Sequence, residues 1–134
     1  MSDWNQQIID EFRANAGKVG GMFEGKNMVL ITHTGAKSGK QRVSPLVYTT
    51  DGDRIVIVAS KGGADTNPDW YHNLVANPAV TVEIGTDKFP AKAKLVTDRA
   101  ERDRLYAKMV EHAEGFAEYE KKTERVIPVF VLER

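Results

Sequence analysis

Residues 28–60 read MVLITHTGAKSGKQRVSPLVYTTDGDRIVIVAS, and the fold turns on how this stretch is punctuated. Met28–His33 is a short, nearly continuous apolar run, the signature of a strand buried on both faces. Arg42–Thr50 reads as a second strand. Pro45 within it has no N–H to give a ladder, so this strand belongs at an edge or a bulge. Asp51-Gly-Asp is a turn signal, and Arg54–Ser60, rich in Ile and Val, follows as a third strand. Parallel pairing would need a crossover of a dozen or more residues between strands. The intervals here are too short, so the three strands form an antiparallel meander.

Outward from this core, Ser2 or Asp3 can cap a first helix in which Trp4, Ile8 and Phe12 recur at helical spacing. Gly17 and Gly20-Gly21 end it. Downstream, Lys61–Thr66 is a loop, and Asn67-Pro68 places an N-cap and a first-turn proline before a short helix through Leu74. Val80–Ile84 and Lys88–Val96 are strands joined at Gly85-Thr-Asp. Asp98 and Glu101 have capping-box spacing ahead of a helix to His112. Gly115 separates it from a short helix over Phe116–Lys122, and Val126–Leu132 is the last strand. The whole is mainly β with helices: six antiparallel strands, about four helices, and a barrel as the closure that leaves fewest open edges.

The chain has 134 residues, which fits a single domain over 1–134 with residues 1–26 as an N-terminal helix and loop. It contains no cysteine, which excludes disulfides, thiolate metal sites and a cysteine nucleophile. No apolar run approaches the ~18 residues of a membrane span, and the start lacks a secretory pattern, so a cytoplasmic protein is expected. A net charge of zero argues against a general nucleic-acid binder. The charge is nevertheless uneven. From Lys26 to Thr50 there is no Asp or Glu, while Lys26, Lys37, Lys40 and Arg42 are basic. An anionic ligand is expected to meet that segment.

Thr34-Gly-Ala-Lys-Ser-Gly-Lys-Gln-Arg42 lies between two strands. Its glycines allow close backbone approach, and Lys37, Ser38, Lys40 and Arg42 offer donors suited to phosphate or carboxylate. A P-loop is excluded, because Gln41 follows Lys40 and a strand, not a helix, comes next. A solvated basic hairpin loop is the plain alternative. Ser60 and Lys61 sit where a hydrophobic strand ends, a rigid base for side chains facing a pocket. Asn67-Pro-Asp-Trp-Tyr-His-Asn73 brings a helix N-terminus with free N–H groups, and Trp70 and Tyr71 are either stacking groups or core. His33, His72 and His112 have no metal-ligand spacing, and no serine lies in a nucleophile elbow. A ligand loop without an acid–base set points to a cofactor that carries the chemistry.

Leu30-Ile-Thr-His-Thr-Gly-Ala-Lys-Ser-Gly-Lys-Gln-Arg-Val-Ser-Pro-Leu46 resembles the signature loop of the deazaflavin-dependent nitroreductase and F420H2-dependent quinone reductase family. Val58–Gly63, Asn67–Leu74, Ala76-Asn-Pro and Thr123–Glu133 resemble its later blocks, in the family's order and spacing. The likeness runs from about Met28 to the C-terminus. It implies a split β-barrel and the reduced deazaflavin coenzyme F420 as hydride donor. Since that coenzyme carries a phosphate and a glutamate tail, an acid-free basic loop is its physical complement. By position, Lys37 and Arg42 would hold the phosphate with Ser38 nearby, and Ser60 and Lys61 would contact the coenzyme from the strand end. Asp69, Trp70, Tyr71 and Asn73 would line the helix side, with Leu46, Val58 and Ala59 as the apolar wall.

The resemblance implies direct hydride transfer to an electron-poor acceptor, with protons from solvent or Ser60. Nitroimidazole-reducing members are tyrosine-rich at the positions of Ala113, Phe116 and Tyr119, and only Tyr119 keeps a hydroxyl here. Phe116 can still pack on the ring. Quinones, enones and other activated alkenes are therefore expected as acceptors before nitro compounds. The first helix is expected to pack on the barrel, with a peripheral contact to the inner membrane face as the alternative; monomer and homodimer both remain open. Two other functions compete: a non-catalytic carrier of a coenzyme or fatty acyl group, and an FMN-dependent split-barrel oxidase.

Overall fold

The computed structural model describes residues 2–21, 25–63 and 66–134, excepting the side chains of residues 2–5 and 62. Among these, four α-helices accompany seven strands: α1 (Ser2–Ala14), β1 (Met28–Thr34), β2 (Gln41–Val47), β3 (Thr49–Asp51), β4 (Arg54–Val58), α2 (Asp69–Ala76), β5 (Ala79–Ile84), β6 (Asp87–Leu95), α3 (Arg99–His112), α4 (Gly115–Lys122) and β7 (Val129–Glu133). A 3-10 turn covers Lys61–Gly63.

All neighbours pair antiparallel in one sheet of order β2-β1-β5-β6-β7-β4-β3. The count exceeds the expected six because the second strand divides at Tyr48. Gln41–Val47 pairs with β1, whereas Thr49–Asp51 pairs with β4 at the far end of the order. One continuous stretch of chain thus joins the two outermost strands, and the sheet curls into a split β-barrel. The meander reading holds in this divided form. Pro45 sits opposite Leu30 in β2, a strand with a single paired neighbour, as its missing N–H requires.

Strand alternation assigns the two faces. Val29, Ile31, Ile55, Ile57, Phe130 and Leu132 point into the barrel with Trp70 and Leu74 of α2. The intervening residues point outward. Met28 and Leu30 meet Ile8, Ile9 and Phe12 of α1. Val56, Val58, Val129 and Val131 meet Leu105, Tyr106 and Met109 of α3. This double coverage is why β1, β4 and β7 read as near-continuous apolar runs in the sequence. Each fully buried Phe, Leu or Ile contributes on the order of 2 kcal/mol.

The apolar stripe of α1 is spent on the barrel from Ile8 onward, and Arg13 fixes the helix to β5 through a forked pair with Glu83 (3.2 and 2.9 Å). The Trp4 side chain and the Ser2/Asp3 capping groups lie outside the described residues. No helix among those described is long and apolar enough to cross a membrane.

Several element ends move from their expected places. Pro68, not Asn67, occupies the cap position of α2, and no side chain caps that helix. Asp98 does cap α3 by accepting from the Glu101 N–H (2.9 Å). Glu101 does not return the bond; its carboxylate turns to Arg104 (2.6 Å), which also forks onto Asp51. The last strand starts at Val129, because Pro128 has no N–H for a ladder and only its carbonyl is used, by Ala59 (2.9 Å).

Candidate functional site

The loop between β1 and β2 is folded by its own backbone. Gly35 N–H donates to the Lys40 carbonyl (2.8 Å), Gly39 N–H to the Gly35 carbonyl (3.1 Å), and Lys40 N–H to Ser38 Oγ (3.2 Å). A Cβ on Gly35 would stand 2.5 Å from Ser38 Oγ, so the turn closes this tightly only over glycine. The result lifts Lys37, Ser38, Lys40 and Arg42 into solvent. Among the described residues none of these cations is paired with a carboxylate, unlike Arg13, Arg54 and Arg104 elsewhere.

The loop forms one wall of a cleft of about 480 Å³ whose other wall is α2. Ala36, Lys37, Ser38 and Arg42 face Asp69, His72 and Asn73 across it. The two walls are bonded: Asn73 Oδ1 accepts from the Ala36 N–H (2.8 Å). Because that backbone donor fixes the amide orientation, Asn73 Nδ2 donates to Nδ1 of buried His33 (3.1 Å). Nε2 then carries the ring proton and donates to Ser44 Oγ (2.8 Å). Burial first, and the Arg42 charge second, push His33 down to about 4, so the ring is neutral at neutral pH.

A second group lies where β4 ends. Ser60 is buried, and its carbonyl accepts from the Gly63 N–H (2.9 Å) and from Arg125 Nη2 (2.9 Å). Arg125 Nη1 also donates to the Ala59 carbonyl (3.0 Å) and to Asn67 Oδ1 (2.6 Å). One guanidinium therefore ties the strand end to the approach of α2. The next residue, Lys61, has φ +48°, a left-handed conformation costing on the order of 1 kcal/mol for a side-chain-bearing residue. Its Nζ donates to Thr66 Oγ1 (3.1 Å). Such strain persists where surrounding contacts over-determine the backbone, and it is common at ligand sites. At Gly63 (φ +85°) a Cβ would stand 2.9 Å from both the Tyr119 carbonyl and Lys122 Cβ, so α4 lies directly on this turn. Phe116 and Tyr119 of α4 meet edge to face (5.2 Å), and Tyr106 donates to the Phe116 carbonyl (2.6 Å).

The structure brings Lys37, Ser38, Arg42, Asp69 and Asn73 to one cleft, and Ser60 and Lys61 to the turn beneath α4. Trp70 packs into the barrel against Phe130 (5.8 Å), and half-buried Tyr71 touches the same ring (5.7 Å). Leu46 and Ala59 adjoin the interior cluster. Val58 does not form a wall with them. Its side chain is on the outward face under α3, because its neighbours Ile57 and Ala59 face inward. Ala113 is buried at the C-cap of α3, where it presents nothing to a ligand. Sequence reasoning missed His33, Ser44 and Arg125. Each lies within a stretch that resembles the family, His33 and Ser44 in Leu30–Leu46 and Arg125 in Thr123–Glu133, but none carries a local mark of its role. Among the described residues no cluster of three or more His, Asp or Glu could hold a metal.

Residues 4–134 match the F420H2-dependent quinone reductase family. The chain is 40% identical over 129 residues to the F420H2-dependent quinone reductase Rv1261c of Mycobacterium tuberculosis, covering 92% of this chain and 85% of that one. It is 41% identical over 104 residues to the putative F420H2-dependent quinone reductase Rv3178 of the same organism, covering 78% and 87%. Among solved structures, an F420-H2 dependent reductase, FDR-A, superposes with a TM-score of 0.73 at 42% identity (80% of this chain, 94% of that one). A domain-swapped dimer superposes with a TM-score of 0.75 at 37% identity, covering 98% of each chain. The haem-storage protein HutZ of Vibrio cholerae, at 17% identity and a TM-score of 0.61 (96% and 89%), shares the fold alone. With the family matched along nearly the whole chain and relatives at 40% identity, the chain belongs to the F420H2-dependent quinone reductase family and is an oxidoreductase whose cofactor is coenzyme F420.

Proposed function

We propose that this chain passes a hydride from reduced F420 to quinones and activated alkenes, gripping the coenzyme by its phosphate at Lys37, Ser38 and Arg42. The observation that carries the reading is the prefolded loop: cations without carboxylate partners among the described residues, on a cleft wall braced by Asn73. That donor set fits a ligand bearing a phosphate and a glutamate tail, and the bracing lowers the ordering cost of binding.

When bound, F420 supplies the hydride; the protein supplies place and surroundings. Lys37 and Arg42 neutralise the phosphate, and Ser38 adds a hydroxyl donor. Asp69, Tyr71 and Asn73 bound the α2 side. Leu46, Ala59 and the edge of Trp70 provide apolar support, and the Val58 backbone carries the strand to Ser60. Lys61, held in its strained conformation with Nζ bonded to Thr66 Oγ1, sets a cation beside the strand end. Phe116 and Tyr119 shield the acceptor, their aromatic pair suiting a flat quinone ring better than a nitro group that needs several hydroxyl donors. Ser60 and Tyr119 are the hydroxyls available to deliver protons. The 37%-identical domain-swapped dimer supports a homodimer, which light scattering would test.

The test is a fluorescence titration of the protein with F420 and, separately, FMN, beside Lys37→Ala/Arg42→Ala, followed by turnover of reduced F420 with menadione, cyclohexenone and a nitroimidazole. Loss of two charge-assisted contacts predicts a roughly 100-fold weaker F420 affinity in the double variant. Preference for FMN overturns the cofactor, and unchanged affinity in that variant defeats the loop assignment. Faster turnover of the nitroimidazole than of menadione defeats the acceptor assignment.

A further inference from the structure

The two cations assigned to the phosphate stand on an exposed loop, where long side chains on a mobile backbone would bind weakly. Two buried polar side chains, Asn73 and His33, and half-buried Ser44 link the segments on either side of them. Asn73 accepts from the N–H of Ala36, the residue before Lys37. His33 accepts from Asn73 and donates to Ser44, two residues beyond Arg42. His33 is also the cross-strand partner of Arg42 itself. The chain of bonds therefore runs from α2 through β1 to β2 and brackets the loop at both ends. Each heteroatom in it has one role: Asn73 Oδ1 accepts, Asn73 Nδ2 donates, His33 Nδ1 accepts, His33 Nε2 donates. Only a neutral imidazole satisfies this arrangement, and burial together with the Arg42 charge favours that form.

A buried histidine in an all-apolar setting would be replaceable by leucine. Here both ring nitrogens are used, and both bonds lead to the loop. We propose that His33, with Asn73 and Ser44, is a positioning relay that holds Lys37 and Arg42 in register for the coenzyme phosphate. On this account Asn73 acts through Ala36 and not as a direct ligand; it is 7% exposed, and its oxygen is already committed. The inference rests on the assignment of the phosphate to the loop.

The test compares the affinity for F420 with that for the 5-deazaflavin ring system lacking phosphate and glutamate tail. Their ratio isolates what the loop contributes. His33→Leu is expected to lower that ratio roughly tenfold by loosening the loop, with ring affinity unchanged. His33→Gln, which keeps one acceptor and one donor, is expected to restore most of it. A parallel loss of both affinities, or an unchanged ratio, overturns the relay and leaves His33 a core residue. If the unmodified protein binds ring and coenzyme equally, the phosphate assignment fails and the relay with it. Should His33→Leu not fold, Ser44→Ala carries the comparison with one hydroxyl removed: a lowered ratio supports the relay and an unchanged one overturns it.

Discussion

The two halves of the site are held by different means. The half at Gly35–Arg42 folds on itself, with hydrogen bonds spanning five residues or fewer, and is then braced from α2 and β2. The half at Ala59–Gly63 has two short-range bonds, from Gly63 N–H to the Ser60 carbonyl and from Lys61 Nζ to Thr66 Oγ1. It is otherwise held from afar by the Pro128 carbonyl and by Arg125, 65 residues beyond Ser60. Local closure costs little chain entropy, so the loop can be tuned without endangering the barrel. The strand end has no such independence. Its guanidinium clamp also holds Asn67, so geometry there is coupled to α2 and to the C-terminal strand. Affinity for the coenzyme is therefore expected to reside in the first half and catalytic rate in the second.

Arg125→Ala strikes this contrast hardest. It strips hydrogen-bond partners from the Ala59 and Ser60 carbonyls and from Asn67, at a cost of about 3 kcal/mol in stability. Turnover with menadione should fall far more than F420 affinity. Equal losses in both would erase the division between the halves, as would a loss of affinity alone.

The pH dependence of stability comes next and belongs to the first half. Unfolded His33 takes a proton near 6.5, and folded His33 only at about 4. Its contribution is therefore complete above pH 6.5 and is lost as pH falls from 6.5 towards 4, by at most about 3 kcal/mol. Urea unfolding at several pH values should show this slope in the parent and not in His33→Leu. A parent curve flat over that window would mean the ring is not buried in the neutral form.

Gly35→Ala is the mildest of these changes. The new methyl group crowds Ser38 Oγ, which must rotate away and abandon the Lys40 N–H. The expected loss is a few-fold in F420 affinity, about 1 kcal/mol, with turnover at saturating coenzyme and the melting temperature nearly unchanged. A large drop in melting temperature would show that the loop is not the independent unit its hydrogen bonds describe.

Legibility followed the same line. Lys37, Ser38 and Arg42 stood out because glycine spacing and an acid-free run are properties of contiguous chain. Ser60 and Lys61 were marked by a strand ending at glycines. Arg125 had no comparable mark, since nothing local distinguishes a half-buried clamp from a surface arginine. His33 passed as an isolated histidine, and its partners Asn73 and Ser44 are 40 and 11 residues away. The face that Val58 takes has no mark either, because a strand buried on both sides shows no alternation to read.

The sequence by itself determined the strand order along the chain, the antiparallel class, the exclusion of Pro45 from a regular central strand and the basic loop. These rest on short-range steric and hydrogen-bonding rules: connection length, the missing proline N–H, and glycine's freedom to fold tightly. Only the tertiary structure decided that the second strand divides at Tyr48 to join both ends of the sheet, which face each apolar residue takes, and which distant side chains brace the loop and clamp the strand end. Those outcomes depend on packing between segments far apart in sequence, whose free energy appears only once the barrel brings them together.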